Sequence, residues 1–230
     1  NGTAYVFRVS AVNAAGTGVA SANSASVTPY TTPGASTSVV ASPENSGAVV
    51  SWTAPDSGGS TITGYKVTAE PGGATCQTTD STSCTVGGLV NGTAYIFSVV
   101  ATNAAGDGPA ATSTAETVTP RTTPGAPTAV SGVGGNTQVT VSWTAPGNNG
   151  GSAITGYTVT ANPGGATCTT ASTSCTVGGL VNGTAYAFSV VATNAAGNSE
   201  AGMSAVVTPY TTPGAPVSVG GSPADSGQVK

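Results

Sequence analysis

Four cysteines, eight carboxylates and not one histidine make up the reactive inventory of this 230-residue sequence. Without imidazole, Ser-His-Asp and Cys-His relays and histidine-based metal centres are ruled out within it. Two carboxylates can hydrolyse a glycoside when they flank one bond. Here Glu44, Asp56, Glu70, Asp80, Asp107 and Glu116 scatter over separate segments, and residues 124–209 hold only Glu200. They read as solvated surface charge, so no enzyme is expected. The cysteines fall into two close pairs, Cys76 with Cys84 and Cys168 with Cys175. A metal site is poorly served by two thiols with no histidine nearby, and the spacing is not the Cys-x-x-Cys of redox proteins. A disulfide within each pair fits best. Chain entropy makes such a short loop worth about 2.5 kcal/mol. The bond also implies an oxidising compartment, extracellular or at a cell surface.

The remaining chemical readings are weaker. Asp56 in Pro55-Asp56-Ser57-Gly58-Gly59 invites a calcium ion, but the matching Pro146-Gly147-Asn148-Asn149-Gly150-Gly151 has no carboxylate and no EF-hand spacing appears. Glycine-rich loops are followed by neither a helix nor Gly-Lys-Ser/Thr, so they supply turns and not phosphate cradles. An internal Lys-Asn crosslink is unsupported, because residues 124–209 contain no lysine. Three Asn-Gly-Thr triplets match the N-glycosylation pattern and are expected to be bare turns. Sugar platforms need exposed aromatic rings, and the chain has two Trp, three Phe and seven Tyr. Trp52, Tyr65, Tyr95, Phe97, Trp143, Tyr157, Tyr186 and Phe188 are all expected in cores, as are Tyr5 and Phe7. Tyr30 and Tyr210 remain, at positions where Arg121 is the third equivalent residue. No cofactor or metal is expected.

Charge excludes other partners. Lys and Arg number only 4, which leaves no basic footprint for nucleic acid. No run approaches the ~18 consecutive apolar residues of a membrane helix, so no membrane insertion is expected.

These side chains sit in a repeat. Asn1-Gly2-Thr3-Ala4-Tyr5 recurs at Asn91–Tyr95 and Asn182–Tyr186, a period of about ninety residues. Ser-Trp-Thr-Ala-Pro carries both Trp52 and Trp143, and Pro33-Gly34-Ala35 returns at Pro124 and Pro213. Ninety residues make a compact domain, not a solenoid turn. Proline-bounded joints at 28–35, 119–126 and 208–215 then divide the chain. Complete modules are expected at 33–120 and 124–209. Residues 1–29 form the end of an earlier module and 213–230 the start of a later one, aligned through Pro223 and Gly227, with Lys230 standing where Val50 would. A parent of at least four modules is expected.

Within a module the pattern has period two. Val139, Val141 and Trp143 share one face, and Gln138, Thr140 and Ser142 the other. Tyr157, Val159 and Ala161 alternate likewise, as do Tyr186, Phe188, Val190 and Ala192. Gly, Pro and Asn clusters separate the strands, and no helical stripe appears. About seven short strands predict an all-β, two-layer sandwich with the aromatic rings between its sheets.

The module resembles a fibronectin type III domain, an immunoglobulin-like sandwich, of the Thr/Gly-rich kind found in secreted bacterial proteins. Trp52 and Trp143 on the second strand carry the likeness, with Tyr65 and Tyr157 on the third. Leu89–Tyr95 and Leu180–Tyr186 are similar to that family's turn into the sixth strand, with its tyrosine corner. Asn103-Ala104-Ala105-Gly106 and Asn194-Ala195-Ala196-Gly197 look like its exit from that strand. The family's Arg-Gly-Asp adhesion loop is absent, since the equivalent turn lacks arginine.

The leading expectation is mechanical: a non-catalytic extracellular spacer in a surface protein or filament, its partners neighbouring modules and, in a filament, like subunits. Tyr30, Arg121 and Tyr210 are then expected to pad one module against the next. The alternatives are accessory modules of a secreted polysaccharide-degrading enzyme and an adhesive or self-assembling module. Strand exchange between chains through the terminal pieces is a further option.

Overall fold

The computed structural model describes residues 1–113 and 117–217. Glu116 and the expected pairing through Pro223, Gly227 and Lys230 lie outside the described residues. Two compact units share the chain: Asn1–Gly125 with Gly147–Thr155 and Thr193–Ser199, and Ala126–Pro146 with Gly156–Ala192 and the chain from Glu200 onward.

The first piece holds β1 (Val12–Asn13) and β2 (Gly16–Thr17). The first complete module is built from β3 (Thr37–Glu44), β4 (Gly47–Thr53), β5 (Gly64–Glu70) and β6 (Ala74–Thr78), then β7 (Ser83–Gly87), β8 (Ile96–Asn103), β9 (Gly106–Asp107) and β10 (Ala111–Thr112). The second repeats the pattern with β11 (Thr128–Gly135), β12 (Gln138–Thr144), β13 (Gly156–Asn162) and β14 (Thr167–Thr170), then β15 (Ser174–Gly178), β16 (Ala187–Asn194), β17 (Gly197–Asn198) and β18 (Gly202–Met203). Each module is an all-β sandwich, with no helix among the described residues. One sheet orders β3-β4-β7 and the other β10-β8-β5-β6, with β9 also on β8. The second module gives β11-β12-β15, and β14-β13-β16-β17 with β18 on β16. The strands pair antiparallel, both between neighbours in sequence, as β3 with β4, and across longer connections, as β4 with β7 and β5 with β8.

The alternation seen in the sequence decides what faces inward. Val50, Val67, Phe97, Val99, Val139, Val141, Val159, Phe188 and Val190 are wholly buried. The two sheets meet at Trp52 and Tyr65, whose rings lie 5.2 Å apart and tilted by 54°. Trp143 and Tyr157 repeat this at 5.2 Å and 59°. Such tilted pairs place a ring edge against a ring face and add to what burial alone supplies.

Three features depart from the sequence expectation. The seventh strand is broken in two, as β9 and β10 and again as β17 and β18. There it comes against the start of its own module: a Cβ on Gly108 would stand 2.5 Å from the Pro33 carbonyl oxygen. The first strand bulges between Thr37 and Val40, and between Thr128 and Ser131. Ser38 and Ala129 take left-handed φ of 51° and 50° there. In the first module the bulge turns Val39 into the core. Finally, Tyr5 and Phe7 are not core residues in this structure: they are 50% and 59% exposed. In the repeat they stand where Tyr95 and Phe97 do, but no second sheet closes over them among the described residues.

Candidate functional site

The cysteine pairs are disulfides, Cys76–Cys84 and Cys168–Cys175, each with Cα atoms 6.3 Å apart. Cys76 lies on β6 and Cys84 on β7, the edge strands of opposite sheets. Cys168 on β14 and Cys175 on β15 match them. Each bond therefore clips the two layers together along one open side of the sandwich.

Tyr95 and Tyr186 work as corner residues. Their rings are buried, and each hydroxyl oxygen accepts a backbone N–H five residues earlier, Val90 at 3.0 Å and Val181 at 3.1 Å. Each bond closes the turn that leads into the sixth strand. The neighbouring asparagine has partners far away in sequence. Asn91 accepts the Ser46 N–H and donates to Asn45, each at 2.8 Å. Asn182 does the same with Thr137 and Asn136. The side chains of these Asn-Gly-Thr triplets are thus engaged in holding the first hairpin to the turn before the sixth strand.

Asp56 accepts the Gly58 N–H at 2.8 Å, and Asn148 at the matching position accepts the Gly150 N–H at 2.8 Å. An amide serves as well as a carboxylate, which marks a turn cap and not a calcium ligand. No group of three or more Asp, Glu, Cys or His side chains converges among the described residues. The first module has an open groove of about 610 Å³ bordered by Lys66, Gln77, Thr79, Thr102 and Asp107. Thr102 and Asp107 satisfy each other at 2.5 Å. The second module has Thr158, Thr169 and Asn198 in place of Lys66, Gln77 and Asp107, so the charged rim is not a property of the repeat.

The feature that does repeat is the joint. Pro29 is tied to the piece before it, its carbonyl accepting the Gly2 N–H at 2.9 Å. Two residues on, the Thr31 N–H donates to the Gly58 carbonyl at 2.9 Å, and the Gly34 N–H to Asp56 at 2.9 Å. Only Tyr30 stands between the two sets of bonds. In the second joint Pro120 accepts from Gly92 at 2.9 Å, Thr122 donates to Gly150 at 2.8 Å and Gly125 to Asn148 at 2.9 Å. Arg121, the residue between, donates its own N–H to the Glu44 carbonyl at 3.1 Å. All of these groups belong to the first unit. Glycine is required at the contact: a Cβ on Gly59 would lie 2.3 Å from the Gly2 nitrogen, and one on Gly151 2.5 Å from the Gly92 nitrogen.

The structure places the three expected padding residues unevenly. Tyr30 is 52% exposed and Tyr210 62% exposed, while Arg121 is partly buried. Tyr210 turns back onto its own module, its ring 3.1 Å from where a Gly134 Cβ would be and its N–H bonded to the Gly135 carbonyl at 3.1 Å. The backbone of the joint, not these side chains, carries the bonds. The sequence signal for it was present in the repeated Gly-Gly of the second loop and the repeated Asn-Ala-Ala-Gly.

Two disulfide-clipped sandwiches in tandem, each with a tryptophan core and a tyrosine corner, define a class of β-module. The family described as fibronectin type III domain matches residues 32–118 and 123–209, and the chain belongs to that family. It is 38% identical over 91% of its length to Endoglucanase B of Cellulomonas fimi. It is 37% identical over 63% of its length to Chitinase A1 of Niallia circulans, and 34% identical over 92% to Exoglucanase B of Cellulomonas fimi. The aligned regions span only 21%, 21% and 20% of those three proteins. The matched modules are of the fibronectin type III kind and are not catalytic domains.

Proposed function

We propose that these are accessory spacer modules of a secreted bacterial polysaccharide-degrading enzyme. The observation that carries this is the likeness, over nine-tenths of the chain, to a minor part of two proteins named as glucanases. A stretch that fills about a fifth of each relative and carries no catalytic group of its own fits a part that positions others. The disulfides support an oxidising, extracellular setting. Deleting residues 33–209 from the parent protein tests the reading. Activity on a soluble oligosaccharide should persist, and activity on the insoluble polysaccharide should fall. A parent with no catalytic domain would overturn it.

A second reading keeps the spacer and changes its host to a surface protein. The bonded joints favour it as much as the first, since holding a separation serves either setting.

A further inference from the structure

The joints are fastened from within the following module by one buried amide. Asn103 ends β8 and is only 5% exposed. Its Nδ2 donates to two carbonyls at 2.8 Å each, Thr31 in the joint and Ser57 in the loop beneath it. Its Oδ1 accepts the Ala105 N–H at 2.8 Å. Asn194 repeats all three bonds at 2.8 Å, to Thr122, Asn149 and Ala196. It too is 5% exposed. Asn13, in the first piece, makes the same turn bond to Ala15.

We propose that Asn103 and Asn194 are latches that fix the joint entering their module, and that the Asn-Ala-Ala-Gly turn exists to aim them. The chemistry selects asparagine. The site needs two donors directed at two carbonyls and one acceptor directed at a backbone N–H, and a primary amide supplies all three. Aspartate would keep the acceptor but set a carboxylate against two carbonyl oxygens. Serine has a single donor. An alanine would take the donor from both carbonyls and the acceptor from the turn N–H at once. With the latch closed, Thr31 is held through both its N–H and its C=O, and so is Thr122. Bonds then flank Tyr30 on both sides, at Pro29 and Thr31, and flank Arg121 at Pro120 and Thr122. Asn103 and Asn194 are thus positioning residues for the spacing function, and this inference rests on that reading.

Amide hydrogen exchange on the full chain tests it. In the unaltered protein the Thr31 and Thr122 amides should exchange slowly, as the strand amides of β12 and β13 do. In Asn194→Asp the Thr122 and Gly125 amides should exchange on the order of tenfold faster, the amount one buried hydrogen bond accounts for. The strand amides of β12 and β13 should not change. A Thr122 amide that exchanges like an exposed loop in the unaltered protein overturns the proposal, and this needs no variant to fold. Unchanged Thr122 exchange in a folded Asn194→Asp protein overturns it too. Solution scattering separates the two claims: a protected Thr122 in a freely bending chain sustains the latch and refutes the stiff spacer.

Discussion

At the scale of single residues, the energetics concentrate in the buried rings. Trp143 lies between the sheets at 6% exposure. Replacing it with alanine should cost about 3–5 kcal/mol through lost burial and the cavity left behind. That approaches the whole stability of a small domain. Trp143→Phe should cost far less, because it keeps most of the apolar volume and removes an indole N–H that has no partner among the described residues. Urea unfolding of both variants, followed by the signal of the second module, checks the order. Tyr65 gives a pH effect. Burial raises its hydroxyl above the ordinary 10.0. The folded module therefore holds that proton more tightly than the unfolded chain does. The contribution is complete below about pH 10 and is lost as pH rises through the raised value. Tyr65→Phe should flatten the decline in stability above about pH 10, measured by denaturant unfolding at several alkaline pH values. Period-two alternation made these rings legible as core from sequence. The bonds of Asn91, Asn103, Asn182 and Asn194 were not legible, because their partners lie 45 to 72 residues away.

At the scale of elements, two devices were read differently. Cysteine spacing favours a disulfide within each pair over a metal or redox site. What the spacing hid is that each bond joins the edge strands of opposite sheets. Replacing Cys168 and Cys175 together with alanine should cost about 2.5 kcal/mol, by the entropy of the loop released. Thermal unfolding should show the loss in the second module and leave the first unchanged. The hairpin turns were invisible. Ser46 and Thr137 occupy left-handed φ of 55° each. For a β-branched residue such as Thr137 this is an unfavourable backbone region. Thr137→Gly should stabilise the second module by about 0.5–1 kcal/mol, since relief of strain exceeds the added chain entropy. Its N–H bond to Asn182 does not depend on the side chain and should survive. A lower midpoint in urea would contradict this. Alternation marks which strand face is apolar, but it says nothing about φ at a two-residue turn.

At the scale of the whole molecule, the joints set the spacing of the proposed array. A Cβ on Gly151 would stand 2.5 Å from the Gly92 nitrogen and 2.7 Å from the Asn91 carbonyl carbon. Its φ of 83° disfavours any side chain as well. Gly151→Ala should therefore broaden the distance distribution seen in solution scattering. The cores around Trp52 and Trp143 should still unfold cooperatively. Identical scattering from the two proteins would mean that the joint is not what sets the spacing.

The repeat, the strands, the sandwich and its aromatic centre can be read along the chain, because alternation and ninety-residue self-similarity are local or directly countable. It also excluded histidine chemistry outright. Tertiary structure alone decided where the joint's hydrogen bonds go, which asparagines are buried, and that Tyr5 and Phe7 stand open. Those outcomes depend on which distant backbone groups arrive at the same place, and a linear pattern does not encode that arrival.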